Sequence, residues 1–163
     1  MNPTRRRTML AWIAALITID LATKIWATAT LDDAPTTLPG PIDLQLSYNS
    51  GTAFGLFTNI PPLLITAATL TIALAILRAA WNNRTPTGPA TLIIAGALAN
   101  TIDRLEAGSV VDMLHTGWWP TFNLADVFIT TGVALLLLNA SCPQPTSPTS
   151  TSQLAPGPTA THR

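Results

Sequence analysis

Charge is scarce in this 163-residue chain: Asp, Glu, Lys and Arg make up 10% of it, against about 25% in a typical soluble domain. The net charge is zero, so no basic surface points to nucleic acid. A single cysteine, Cys142, excludes an internal disulfide and cannot by itself build a zinc site. His115 and His162 are the only histidines, which makes a metal enzyme a poor fit. No serine or cysteine nucleophile is evidently paired with His115, which reads as a capping or solvent-facing residue. Cys142 follows Leu138-Asn139-Ala140-Ser141 at the wrong end of the chain for a lipid-attachment sequence and reads as an inert thiol. What the chain has in abundance is hydrocarbon, with 48% hydrophobic residues and a mean hydropathy of +0.38. The length allows one domain with several membrane spans and little else.

Four apolar runs organise the sequence. The first, residues 9–27, follows Arg5, Arg6 and Arg7 and could be a cleaved signal peptide. Asp20 and Lys24 interrupt it, however, and a secretory core has no use for either. Spaced i,i+4, they share one helical face and can pair, so the run reads as a retained span whose ion pair is turned toward protein. Residues 61–80 carry no charge before Arg78 and match the roughly 20 residues needed to cross a bilayer. Pro61 and Pro62 suit a first helical turn, where a missing N–H costs nothing. The third run, residues 89–102, is short enough to be a buried core helix, and its small residues, Ala90, Ala95, Gly96, Ala97 and Ala99, invite close approach by another helix. The fourth, residues 124–140, has Asp126 in its first turn.

Between the first two runs Ile42, Leu44, Leu46 and Tyr48 alternate with Asp43, Gln45 and Ser47, a period of two that predicts a half-buried strand. It leads into the turn-like Asn49-Ser50-Gly51-Thr52-Ala53-Phe54-Gly55, with Phe54, Leu56 and Phe57 as an apolar patch. A small sheet lying on the membrane surface fits both features. Residues 141–163 are rich in Pro, Ser and Thr and predict a disordered tail without chemistry.

Four crossings with both termini on one side place Arg5, Arg6, Arg7, Arg78, Arg84 and Arg163 together, and the positive-inside rule makes that side cytoplasmic. All eight acidic residues then fall outside or within a span. Trp118 and Trp119 suit the outer interfacial belt.

Half of the acids lie in one stretch, residues 100–126, with Asn100, Asp103, Arg104, Glu106, Asp112, Asn123 and Asp126. Carboxylates near lipid are costly unless they do chemistry. Asp112 and Asp126 form a candidate catalytic pair: an ionised aspartate takes a proton from water while its protonated partner donates to a carbonyl oxygen. Asn100, Asp103 and Arg104 share a helical face and project toward the same place, where Arg104 could hold a carbonyl or a lipid phosphate, and Asn100 and Asn123 could donate to peptide carbonyls. The same carboxylates could instead bind a cation or relay protons, and on composition these readings stand level with hydrolysis. A non-catalytic scaffold leaves the pair unexplained.

Five ordered motifs resemble those of the lipoprotein signal peptidases, the type II signal peptidases of bacterial inner membranes. Asp20-Leu21-Ala22-Thr23-Lys24 is similar to that family's first-helix motif, and Asn49-Ser50-Gly51-Thr52-Ala53-Phe54 to its Asn-x-Gly-x-Ala-Phe segment. Asn100-Thr101-Ile102-Asp103-Arg104 resembles its Asn-x-x-Asp-Arg motif, while Gly108-Ser109-Val110-Val111-Asp112 and Phe122-Asn123-Leu124-Ala125-Asp126 resemble its two catalytic stretches. The resemblance runs to about Ala140. It implies an all-α membrane protein of four transmembrane helices with a small extracytoplasmic β-sheet, the β-cradle, and a peptidase domain over residues 1–140 whose extracytoplasmic segment lies at about residues 30–60. It also implies a membrane aspartyl endopeptidase that cleaves diacylglyceryl-modified prolipoproteins before the lipid-modified cysteine, using no metal or cofactor. Asp112 and Asp126 become the catalytic dyad, Asn49, Asn100, Arg104 and Asn123 shape the substrate site, and Asp20, Lys24 and Asp103 give structural support. The expected partners are prolipoprotein and membrane lipid, and the expected state is a monomer with its site near the outer membrane surface. The chain departs from the family in Ala95-Gly96-Ala97-Leu98-Ala99, where Gly-Gly-Ala-x-Gly is usual. Met113 replaces an aromatic, and the loop between the two aspartates is short.

Overall fold

The computed structural model describes residues 1–50 and 61–141. Four helices and two strands follow one another as α1 (Pro3–Thr30), β1 (Asp43–Asn49), α2 (Pro62–Trp81), α3 (Thr87–Ala107), β2 (Val110–His115) and α4 (Leu124–Ser141). The apolar patch expected around Phe54 lies outside the described residues, as does the tail expected to be disordered over 141–163, except for Ser141, which is the last residue of α4.

Local chemistry sets the helix ends. The side chain of Asn2 accepts from the Arg5 N–H at 2.8 Å, and Pro3 opens α1 where no N–H is needed. Gly108, in the left-handed region at φ 72°, closes α3 and returns its N–H to the Arg104 carbonyl at 3.1 Å. Asn123 caps α4.

Among the described residues three helices, 3–30, 63–81 and 124–141, are long and apolar enough to cross a membrane. Their outward faces carry hydrocarbon: Trp12, Ile25, Leu63, Leu74, Leu137 and Leu138 are all exposed, as surfaces solvated by lipid require. The run expected as a third span folds as a longer helix, α3, which lacks their apolarity because Asp103, Arg104 and Glu106 occupy its last turns. It packs against all three other helices. Ala90, Ala95, Ala97 and Ala99 are buried there, and α4 approaches most closely at Gly96 and Gly132. One half of the bundle is sealed by Met9, Ile13, Ala80, Ala90, Ile94 and Ala95. The buried charged residues Asp20, Lys24, Asp103 and Asp112 gather in the other half with the buried Asn100 and Asn123.

β1 and β2 pair antiparallel, with Ser47 opposite Asp112 and Asn49 opposite Val110. The strand expected from alternation is present, but the faces do not separate. Residues 43–47 are all half-buried and Tyr48 is 60% exposed, because the register slips between Leu44 and Ser47 and a slip exchanges the two faces. Phe122 pairs with Leu114 through two backbone bonds of 2.8 and 3.0 Å, which brings the residues just before α4 back to the strand that carries Asp112.

Candidate active site

Asp112 enters from β2 and is 2% exposed. Its Oδ1 accepts from Asn123 Nδ2 at 2.6 Å and its Oδ2 from Asn49 Nδ2 at 3.2 Å. Asp126 enters from the first turn of α4, where Asn123 and Asp126 cap each other. Asn123 Oδ1 accepts from the Asp126 N–H at 3.0 Å, and Asp126 Oδ2 accepts from the Asn123 N–H at 3.2 Å. This reciprocal box satisfies two orphan donors of the helix and leaves Asp126 Oδ1 to accept from Asn100 Nδ2 at 2.8 Å.

Asn123 is wholly buried and links the two carboxylates, since its amide also donates to Asn100 Oδ1 at 3.2 Å. Behind Asn100 lies Lys24, whose Nζ contacts Asn100 Oδ1 at 2.9 Å, Asp20 Oδ2 at 2.7 Å and Asp103 Oδ2 at 2.8 Å. The i,i+4 pairing of Asp20 with Lys24 is therefore present and faces protein. Asp20 Oδ1 accepts from the Ala125 N–H at 2.7 Å, joining α1 to α4. Asp103 Oδ2 accepts from the Val111 N–H at 3.3 Å, joining α3 to β2.

Burial, then the negative charge of Asp126, pushes the Asp112 carboxyl from its ordinary 3.8 up to about 7, against the opposing hydrogen bonds from Asn123 and Asn49 and the charge of Lys24. Near neutral pH the Asp112 carboxyl is thus able to hold a proton beside Asp126. Arg104 is half-buried among the charges of Asp126, Asp112 and Asp103, and its Nε has no hydrogen-bond partner among the described residues. Two hollows reach the pair. One of about 190 Å³ is lined by Ser47, Tyr48, Asn49, Ser50, Asp112, Pro120 and Thr121. Another of about 370 Å³ is lined by Asp126, Val127, Thr130 and Thr131 of α4 together with Thr116, Trp118, Trp119 and Phe122.

All nine residues singled out in the sequence meet in this one region. Asn100 and Asn123 have their amides committed to the carboxylates, to each other and to Lys24. Asp103, expected to project toward the pair, turns to Lys24 instead. One participant escaped notice, the Ala125 N–H, because a backbone donor leaves no signal in residue type; Gly96, expected to admit another helix, lies against α4 at Ala125 and Ile129.

A helical membrane protein whose polar interior centres on two linked aspartates, capped by a two-stranded sheet, defines the class. Residues 12–142 match the family described as signal peptidase (SPase) II, and the chain belongs to that family, a family of proteases in lipoprotein processing. The lipoprotein signal peptidase of Rhodopseudomonas palustris is 38% identical over 160 residues, 86% of this chain and 94% of the relative. That of Syntrophomonas wolfei is 35% identical over 130 residues, 76% and 85% of the two chains. A solved bacterial membrane enzyme superposes with a TM-score of 0.70 at 25% identity, covering 82% of this chain and 87% of its own.

Proposed function

We propose that the protein is a membrane aspartyl endopeptidase that removes the signal peptide from diacylglyceryl-modified prolipoproteins, cutting before the lipid-modified cysteine. The observation that carries this reading is the pair Asp112 and Asp126, delivered by different elements and joined through Asn123, whose side-chain NH₂ donates to Asp112 and whose backbone N–H donates to Asp126. Asp126 acts as base on a water molecule while Asp112, raised to about 7, donates its proton to the scissile carbonyl oxygen. The tetrahedral intermediate collapses when a proton passes to the departing amine, and the dyad returns to its one-proton state. Asn100, Asn123 and Asn49 hold the carboxylates, and Arg104, with its uncommitted Nε, receives a substrate carbonyl or a lipid phosphate.

The geometry supports a four-crossing arrangement in which α3 is the third, because at 21 residues it rises about 30 Å. The start of α1 meets the end of α2, with Met1 N donating to the Trp81 carbonyl at 3.2 Å and Arg6 over the Trp81 ring at 4.8 Å. The N-terminal arginines and Arg78 thus share one end, taken as cytoplasmic. The dyad lies at the other end, at the outer surface, in a domain of residues 1–140 that acts as a monomer. A proton or ion carrier fits less well, since the buried charges form one cluster rather than a path through the bundle.

The test is cleavage of a diacylglyceryl-modified prolipoprotein by purified protein. Asp112→Asn and Asp126→Asn should each lower the rate by about 10³-fold or more. Cleavage that survives either change removes the dyad from the mechanism.

A further inference from the structure

Lys24 takes no part in the chemistry proposed above, yet its ammonium is 3% exposed and surrounded. It lies 2.7 Å from Asp20 Oδ2, 2.8 Å from Asp103 Oδ2 and 2.9 Å from Asn100 Oδ1. An ammonium donates and never accepts. Asn100 must therefore turn its oxygen to Lys24, which leaves its NH₂ facing Asp126 Oδ1 at 2.8 Å. The same oxygen takes Asn123 Nδ2 at 3.2 Å, while Asn123 Oδ1 takes the Asp126 N–H. The Asn123 NH₂ is thereby left facing Asp112. Each amide is oriented by the one before it, and the series begins at a group that cannot be reversed.

Ion pairing with Asp20 and Asp103 does not account for this arrangement, because the hydrogen bond that the ammonium makes goes to Asn100. Building on the dyad reading, we propose that Lys24 is a positioning residue for the reaction, fixing the donor–acceptor polarity of the Asn100–Asn123 amides so that Asp126 is always offered an N–H and stays available as base. The charged groups around Asp126 are Asp112 from β2, Arg104 from α3 and, through Asn100, Lys24 from α1. Asp20 and Asp103 sit behind Lys24. Without the cation, Asn100 is free to rotate and set its oxygen against Asp126, which then holds a proton to satisfy it, and the base is lost.

The experiment compares the full-length protein in detergent, cleaving a diacylglyceryl-modified prolipoprotein across pH, with three variants: Lys24→Met combined with Asp103→Asn, Lys24→Arg, and Asn100→Leu. The double variant removes one charge of each sign, so net charge is unchanged, and an asparagine at 103 can still accept from the Val111 N–H. It and Asn100→Leu should each lower kcat by about 100-fold, leave KM within about threefold, and move the acid limb of the profile up by about one pH unit. Lys24→Arg, also a pure donor, should restore the limb and most of kcat. Lys24→Gln with Asp103→Asn refills the space if the methionine pair does not fold. A folded neutral pair with the wild-type limb overturns the proposal, as does Asn100→Leu without a shift, or a folded Lys24→Arg as damaged as the neutral pair. Failure of both neutral pairs to fold makes Lys24 a residue of the fold alone and also overturns it. If wild type does not cleave, or Asp112→Asn still does, the dyad reading falls and takes this inference with it.

Discussion

Gly96 has no functional group, yet its replacement should disable the site. A Cβ built at Gly96 would overlap the Ala125 carbonyl oxygen and lie 2.8 Å from Ile129 Cγ1. The isoleucine can turn aside, but the carbonyl is backbone and cannot. Relief requires the first turn of α4 to retreat by about 1 Å to restore van der Waals separation. Ala125 sits between Asn123 and Asp126, and its N–H is held by Asp20 at 2.7 Å, so that retreat pulls Asp126 away from Asn100 and strains the link to α1. Overpacking of this kind costs about 1–3 kcal/mol, and a misplacement of about 1 Å in catalytic geometry costs about 100-fold in rate. The assay is cleavage of lipid-modified prolipoprotein by Gly96→Ala, read beside its thermal unfolding in the same detergent. Gly88→Ala, where nothing lies within 4 Å, is the control and should match wild type. A Gly96→Ala protein with wild-type rate and melting temperature would refute the idea that contact between α3 and α4 sets the position of the second aspartate.

Because Asp112 is raised from 3.8 to about 7, cleavage should fall as pH rises through about 7 and its donor loses the proton. The same shift means the folded chain binds that proton more tightly than the unfolded chain. Its contribution to stability is full below the unfolded value and is lost as pH rises toward 7, by at most about 1.4 kcal/mol per pH unit. Melting temperatures across this range should fall in wild type and less steeply in Asp112→Asn, and parallel curves would refute the assignment. Arg104→Ala should raise KM by about tenfold with the melting temperature little changed; a protein that fails to accumulate would make Arg104 structural. Asn123→Ala loses a helix cap, about 1 kcal/mol, and the link between the carboxylates, so its rate should drop by about 100-fold or more. A rate loss no larger than the stability loss predicts would count against Asn123 as the link.

Elements that obey a strong local rule were readable in advance. Helices α1, α2 and α4 follow from long apolar runs, the pairing of Asp20 with Lys24 from their spacing, and β1 from its alternation. β2 was not identified as a strand, because Val110-Val111-Asp112-Met113-Leu114-His115 does not alternate. Both faces of its first half meet protein, with Val110, Asp112 and Met113 buried and Val111 half-buried, so there was no polar face to mark a period of two. The extent of α3 was underestimated because Asp103, Arg104 and Glu106 end the apolar run before they end the helix. The residues of the site were legible through their motifs. Their wiring was not, since the turn of Asp103 toward Lys24 and the direction of each amide depend on which helices meet, which no spacing along one helix encodes.

On the proposed mechanism, the reciprocal cap between Asn123 and Asp126 gives one side chain two occupations, reagent and fastening. An asparagine at 126 would give up the first and retain the second, because its amide oxygen can still receive the Asn123 N–H at the head of α4. Asp126→Asn is therefore the change best suited to arrest the protein with its architecture preserved, yielding a catalytically silent form able to retain an uncut client long enough for the complex to be imaged.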